Sequence, residues 1–224
     1  MTLTNKQTLR KLFLFIVIML TANTIMGQIV TDLTSNFSTG FDGWTRVNGS
    51  VRNQWHRGTA PSNMSQTGTT HAIYISNNNG TSNTQFADRV VVHFYRDVTI
   101  PSGATNIKLE FMLKVNGSEP HWLGYSGDWL RVHAAPTSVI PTVGDGSGHR
   151  DHMNNLIQYR IGDEYYCNIP NWSNIVISSS SLSSGSTRRI IFSWISDQTL
   201  PENPPAAITN IKITYDLPVM LTFG

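Results

Sequence analysis

One cysteine in 224 residues cannot form a disulfide framework, so whatever this chain folds into is held by packing, hydrogen bonds or a bound ion. Cys167 lies in YYCNIPNW with no histidine within a dozen residues, which reads as a small packing residue rather than a nucleophile. Charge is scarce as well: Asp, Glu, Lys and Arg make up only 13% of the chain. There is no Gly-x-Ser-x-Gly elbow and no phosphate-cradling glycine loop, which removes the usual serine hydrolase and nucleotide-binding readings. No segment repeats at a 20–50-residue spacing, so a solenoid or propeller is excluded. The longest apolar run, Leu12–Leu20, falls short of the roughly 20 residues needed to span a bilayer.

That run has another meaning. Lys6, Arg10 and Lys11 precede it, and a short polar stretch ending in Gly27 follows it, the pattern of a secretory signal peptide over residues 1–27 cleaved before Gln28. No cysteine stands near the cleavage point to take a lipid anchor. The leader carries three of the 16 basic residues and none of the 14 acidic ones, so the remainder is close to neutral. The basic balance of the whole chain therefore says nothing of nucleic acid or anionic membranes, and neither is expected as a partner.

What is abundant is turn chemistry and alternation. Between Asp88 and Val132, VVVHFYRDVTI, IKLEFMLK and DWLRV are three strand-like runs parted by Pro101-Ser102-Gly103 and by Asn116-Gly117. Ile107, Leu109, Phe111 and Leu113 alternate with Lys108, Glu110, Met112 and Lys114, the period of a half-buried strand. These runs read as the middle of one antiparallel sheet. HAIYIS, the stretches Asn171–Ser178 and Thr187–Ser196 on either side of a serine-rich turn, and AAITNIKITY add further strands. Trp44 and Trp55 read as core anchors, and Ala135–Asn155 as loop. No helical period fits. The expectation is an all-β chain: an antiparallel β-sandwich over residues 28–216, with 217–224 as a linker toward a possible further domain.

The order of FDGW, NQWHRG, HAIYISNNNG, HFYRDVTIPSGATNIKLEFMLK, GDWLRVHAAPTS and NPPAAITNIKI resembles the jelly-roll adhesin modules of Bacteroidetes surface proteins. This is the cleaved-adhesin, or choice-of-anchor J, group, related in shape to MAM domains. The resemblance implies a jelly roll that is exported or displayed on the cell surface. It implies a binding role toward an extracellular glycan or protein, often as one unit of a multidomain adhesin. It also implies calcium held by carboxylates near the sandwich ends, for which Asp42, Asp128, Asp197 and Asn210 are the candidates. Where the family places acidic residues before the Gly-Trp turn and in the closing strand, this chain has Asn36, Ser38 and Thr209.

For the ligand, the segment EPHWLGYSGD is the best candidate. Trp122 and Tyr125 offer faces on which a sugar or partner side chain stacks, and His121 and Glu119 offer hydrogen bonds. The competing reading is that Trp122 caps the core. Glu119 and Asp128 flank the same loop, and as a glycosidase pair they would make the chain a hydrolase on a concanavalin-like sandwich. Carboxylates nine apart in one loop are common, so no catalytic residue is assigned. Asp145, His149, Asp151 and His152 in GDGSGHRDH lack the helical spacing and intervening glutamate of a zincin helix and read as solvated loop. A structural spacer within a larger surface protein is the third reading.

Overall fold

The computed structural model describes residues 28–118, 127–144, 154–198 and 201–218. Eleven strands occur among them: β1 (Gln28–Ser35), β2 (Thr45–Val47), β3 (Gln54–Gly58), β4 (Ala72–Ser76), β5 (Val90–Thr99), β6 (Thr105–Val115), β7 (Trp129–Ala135), β8 (Arg160–Tyr166), β9 (Ile169–Ile177), β10 (Thr187–Ser196) and β11 (Ala207–Leu217). A 3-10 turn at Met64–Thr67 and one helical turn at Asn154–Ile157 complete the described elements. The first sheet runs β3-β4-β11-β6-β9 with β1 also on β11, and the second runs β2-β5-β10-β7-β8. All the ladders are antiparallel. The chain is an antiparallel β-sandwich of jelly-roll type.

The three central runs do not form one sheet, which corrects the expectation drawn from their alternation. β5 and β7 flank β10 in the second sheet, while β6 lies between β11 and β9 in the first. Period-two patterning fixes which face of a strand is apolar but not which layer it joins. The chain changes layer between β5 and β6 through the short link 100–104, and changes back between β6 and β7. The serine-rich turn between β9 and β10 changes layer too, and it locks onto the β5–β6 turn. Gly103 N–H donates to Ser184 Oγ at 2.7 Å, and Gly185 N–H donates to the Pro101 carbonyl at 3.3 Å.

The interior between the layers is aromatic. Phe94 and Phe192 stack at 4.8 Å between centroids, Trp55 meets Phe94 edge-on at 4.7 Å, and Phe111 meets Phe192 edge-on at 5.1 Å. Trp44 closes over the Phe94–Phe192 pair and donates its indole N–H to Ser35 Oγ at 2.9 Å. Both expected tryptophan anchors are buried.

Each sheet carries a covered patch on its outer face; on the first, Ala72, Tyr74, Trp172 and Ala207 pack with Met64 and Met112. β6 buries Leu109, Phe111 and Leu113 and leaves Lys108 and Glu110 outward, as its alternation predicts. In β5, β7 and β10 consecutive residues are buried, because a second cluster of Val91, Trp129, Ala135, Leu156, Ile191 and Ile195 covers the far side as well. The β7–β8 connection supplies that cover. Cys167 packs half-buried at its border, consistent with a packing role.

Candidate functional site

At one rim, three connections converge on a buried carboxylate. Asp128, 3% exposed, accepts from Gln85 Nε2 at 2.6 Å, the Asp197 N–H at 3.1 Å and the Glu202 N–H at 3.2 Å. Trp194 Nε1 donates to Gln85 Oε1 at 3.0 Å and so aims the amide at Asp128. The Asp197 carboxylate in turn accepts the Gly127 N–H. Burial pushes the Asp128 carboxyl up to about 6; the two backbone N–H donors oppose this, and the charges of Asp197 and Glu202 add to it. The chain leaves this rim at Ser118, whose N–H donates to the Asp128 carbonyl, and returns at Gly127. Glu119, His121, Trp122 and Tyr125 lie outside the described residues, as do Asp145, His149, Asp151 and His152.

Along the side of the sandwich, β4 and β1 occupy the same edge of β11 end to end. The gap between them is bridged at Thr209-Asn210, where β11 slips register against β6 and Asn210 takes a φ of 52°. Thr209 is fully buried and donates its hydroxyl to the His71 carbonyl at 2.8 Å, and Asn210 Nδ2 donates to the Thr67 carbonyl at 2.6 Å. Across from them, Phe37 turns the chain with a φ of 59° and is itself buried. Its carbonyl and that of Ser38 accept from Arg57 Nε and Nη2 at 2.5 and 2.6 Å. The Asp42 carboxylate accepts the Phe37 N–H at 2.8 Å, and Asn36 Oδ1 accepts the Ser38 N–H at 3.0 Å.

These contacts answer the calcium question for the described residues. The four candidate ligands do not gather: Asp128 and Asp197 share one rim, Asp42 lies in the β1–β2 loop, and Asn210 sits in the β11 irregularity. Calcium requires six to eight oxygens. At the Phe37–Asp42 turn the carbonyls that could serve already accept from a guanidinium, and at Asn210 an amide N–H points at the neighbouring carbonyl. Asp128 and Asp197 have backbone and amide donors on their oxygens. No three His, Cys, Asp or Glu side chains among the described residues are grouped as a metal would need. The donor set does not fit the ion.

Near the Phe37–Asp42 turn, where β2 stops short and leaves the far part of β5 uncovered, an open groove of about 360 Å³ is lined by Gly43, Thr45, Tyr95, Arg96, Asp97 and Arg189. Arg189 pairs with Asp97 through Nε and Nη2 at 2.7 and 2.9 Å, donates Nη1 to the Val139 carbonyl at 3.0 Å, and lies 4.3 Å from the centroid of the Tyr95 ring. Sequence reasoning read FYRDV as interior strand and missed this. The signal was present in the order of residues: after five buried positions from Val90 to Phe94, the pattern turns to Tyr, Arg and Asp at the point where the outer cover ends.

Farther along the same outer face, His93, Ser193 and His133 are fully buried. The Thr142 carbonyl can only accept, so His93 carries its proton on Nε2, 3.0 Å away, and takes the Ser193 hydroxyl on Nδ1 at 2.8 Å. His133 Nδ1 then donates to Ser193 Oγ at 3.4 Å, leaving its buried Nε2 without a partner. Burial holds both rings neutral, His93 down to about 4 and His133 down to about 3. A serine hydroxyl beside an imidazole is a nucleophile's arrangement, but here the pair is sealed under the β7–β8 connection and acts as packing.

No protein-family model matches the chain, and no curated protein matches it. Among solved structures, it is similar to TmCBM27, a carbohydrate-binding module studied for specific mannan recognition. The two are 14% identical over 84% of this chain and 98% of that one, with a TM-score of 0.41. It is similar to TmCBM61, solved in complex with beta-1,4-galactotriose, at 10% identity over 80% and 89% of the two chains and a TM-score of 0.40. The enzymatically active domain of bacteriophage CBA120 tailspike protein 4 shares 8% identity over 77% of this chain, with a TM-score of 0.45. This chain spans only 19% of that tailspike's length. Each likeness is one of sandwich architecture.

Proposed function

We propose that this domain is an exported glycan-binding module of the adhesin type, which grips its ligand on a rigid rim and performs no chemistry on it. The groove at Tyr95 carries the reading. Thr45, Tyr95, Arg96, Asp97 and Arg189 line an open space of about 360 Å³, within the ~300–1,000 Å³ usual for ligand sites. Sugars are recognised by this mixture of residue types, apolar ring faces on aromatics and hydroxyls on planar polar groups. β10 along one side of β5, and β2 as far as Tyr95 on the other, fix the backbone, so little conformational entropy is lost on binding. The carboxylates at the Asp128 rim have structural duties, since Asp128 and Asp197 are engaged by backbone N–H groups. Trp122 and Tyr125, between Ser118 and Gly127 in sequence, remain by residue type the second candidates for stacking. No helix among the described residues is long and apolar enough to cross a membrane.

A glycan array probed with the exported protein tests the reading, followed by titration of the glycans it retains. Tyr95→Ala should weaken binding by about tenfold or more, the worth of one stacked aromatic contact. If Trp122→Ala abolishes binding while Tyr95→Ala leaves it intact, the ligand belongs to the segment carrying Trp122. Retention of a protein ligand and no saccharide would sink the glycan reading.

A further inference from the structure

Resting on that glycan-binding reading, we infer that the groove beside Tyr95 takes an acidic saccharide, one carrying a carboxylate or a sulfate, and that Arg96 is the residue that reads the negative charge. The argument is a local balance of charge and donors. Two guanidinium groups and one carboxylate line the groove. Arg189 and Asp97 cancel each other in a two-point pair, and the remaining Arg189 contacts, the Val139 carbonyl and the Tyr95 ring, hold that guanidinium against the sheet. Arg96 has no such partner: among the described residues no carboxylate lies within ion-pair reach of it. A single hydrogen bond, from Nη1 to the Asp42 carbonyl, positions it. The lining is therefore left with one positive charge that no carboxylate pairs among the described residues, and Nη2 of Arg96 makes no hydrogen bond among them.

The charge is also held in place. Gly43 has a φ of 77°, and a Cβ built there would meet Arg96 Cζ and Nε at 3.4 Å. The guanidinium thus lies beside a glycine, at a distance where an added Cβ would come into van der Waals contact with it. Tyr95 and Arg96 leave opposite faces of β5, and a guanidinium positioned at the strand edge by the Asp42 carbonyl and Gly43 is preorganised for the anionic group of a sugar acid.

The test compares acidic oligosaccharides with neutral counterparts of the same backbone: hyaluronan and oligogalacturonate against their carboxyl-reduced forms, and heparin against its desulfated form, each at low and at physiological salt. The acidic member of at least one pair should bind tenfold or more tightly than its neutral partner, and the advantage should shrink with salt. Which pair responds separates a uronate reader from a sulfate reader. Arg96→Gln should erase the advantage while leaving the residual neutral affinity in place, and Thr45→Lys, which adds a charge at an exposed lining position, should enlarge it. The second variant keeps the test decisive if Arg96→Gln folds poorly. Equal binding of acidic and neutral members, unmoved by either substitution, overturns the assignment of charge but leaves glycan binding standing. Failure of every saccharide, acidic or neutral, removes both.

Discussion

Two places in the sandwich hold opposite charges among hydrogen-bonding dipoles, and neither has a counterion within ion-pair reach among the described residues. At one rim the buried Asp128 carboxylate is surrounded by N–H donors from Gln85, Asp197 and Glu202. Where the chain passes from β1 to β2, the half-buried Arg57 guanidinium is met by the carbonyls of Phe37 and Ser38. In both places the backbone of a connection solvates the charge, and the charge in return ties together loops distant in sequence. A charge buried among dipoles fixes geometry more firmly than an exposed ion pair, because each partner is itself part of the frame. The difference lies in protonation: the anionic rim can gain a proton near neutrality, whereas a guanidinium keeps its charge throughout.

The largest test of this comparison is Asp128→Ala. It strands three buried donors, and the expected cost is about 3–5 kcal/mol, seen as a fall of roughly 10 °C or more in thermal midpoint. A cost below about 1 kcal/mol would mean the rim is not organised by this carboxylate.

Next in size is a pH effect. The folded Asp128 carboxyl titrates at about 6, above its ordinary 3.8. Between those values the folded protein holds the proton more firmly than the unfolded chain, so this group adds stability as pH falls and withdraws it as pH rises. Relative to Asp128→Asn, wild type should therefore gain roughly 2–3 kcal/mol of stability from pH 7 to pH 4, by urea unfolding. His93 and His133 act in the other direction. Their folded values of about 4 and about 3 lie below the ordinary 6.5, so acid favours the unfolded chain in both proteins, and their contribution cancels in the difference. A difference between the two proteins that stays constant with pH would remove the distinction between the two places.

The smallest effect belongs to Arg57. Arg57→Met leaves two carbonyls without their charged donor and should cost about 2 kcal/mol. Neither calcium nor a chelator should move the wild-type thermal midpoint, because the guanidinium already engages the oxygens an ion would use. A rise of several degrees with calcium would break the comparison at this turn.

Much of the architecture was legible in the residues, for a physical reason that also marks the limit. β6 declares itself because one face meets the core and the other meets water, and the tryptophans at 44 and 55 announce burial by their size. β1 and β8 were not legible. β1 is an edge strand that is mostly exposed and broken by a bulge after Thr31, and β8 carries Gly162 at a φ of 74° among charged residues. Neither shows the alternation that water on one side and core on the other would impose. The assignment of consecutive strands to opposite layers leaves no trace in patterning at all. For the candidate site, residue type pointed to Asp42, Asp128, Asp197 and Asn210 as oxygen ligands, but type does not reveal which hydrogen bonds have already claimed those oxygens. The groove at Tyr95, Arg96 and Asp97 lies where the pairing of the three-residue β2 with β5 ends, a boundary that no local composition sets.

Because Gln28 stands opposite Leu217 in the β1–β11 ladder, the two ends of the described fold emerge side by side. Tension applied between them would part the ladder rung by rung, as a zip opens, instead of shearing all its bonds together. Such peeling would leave the groove beside Tyr95, which lies on the other layer, in place.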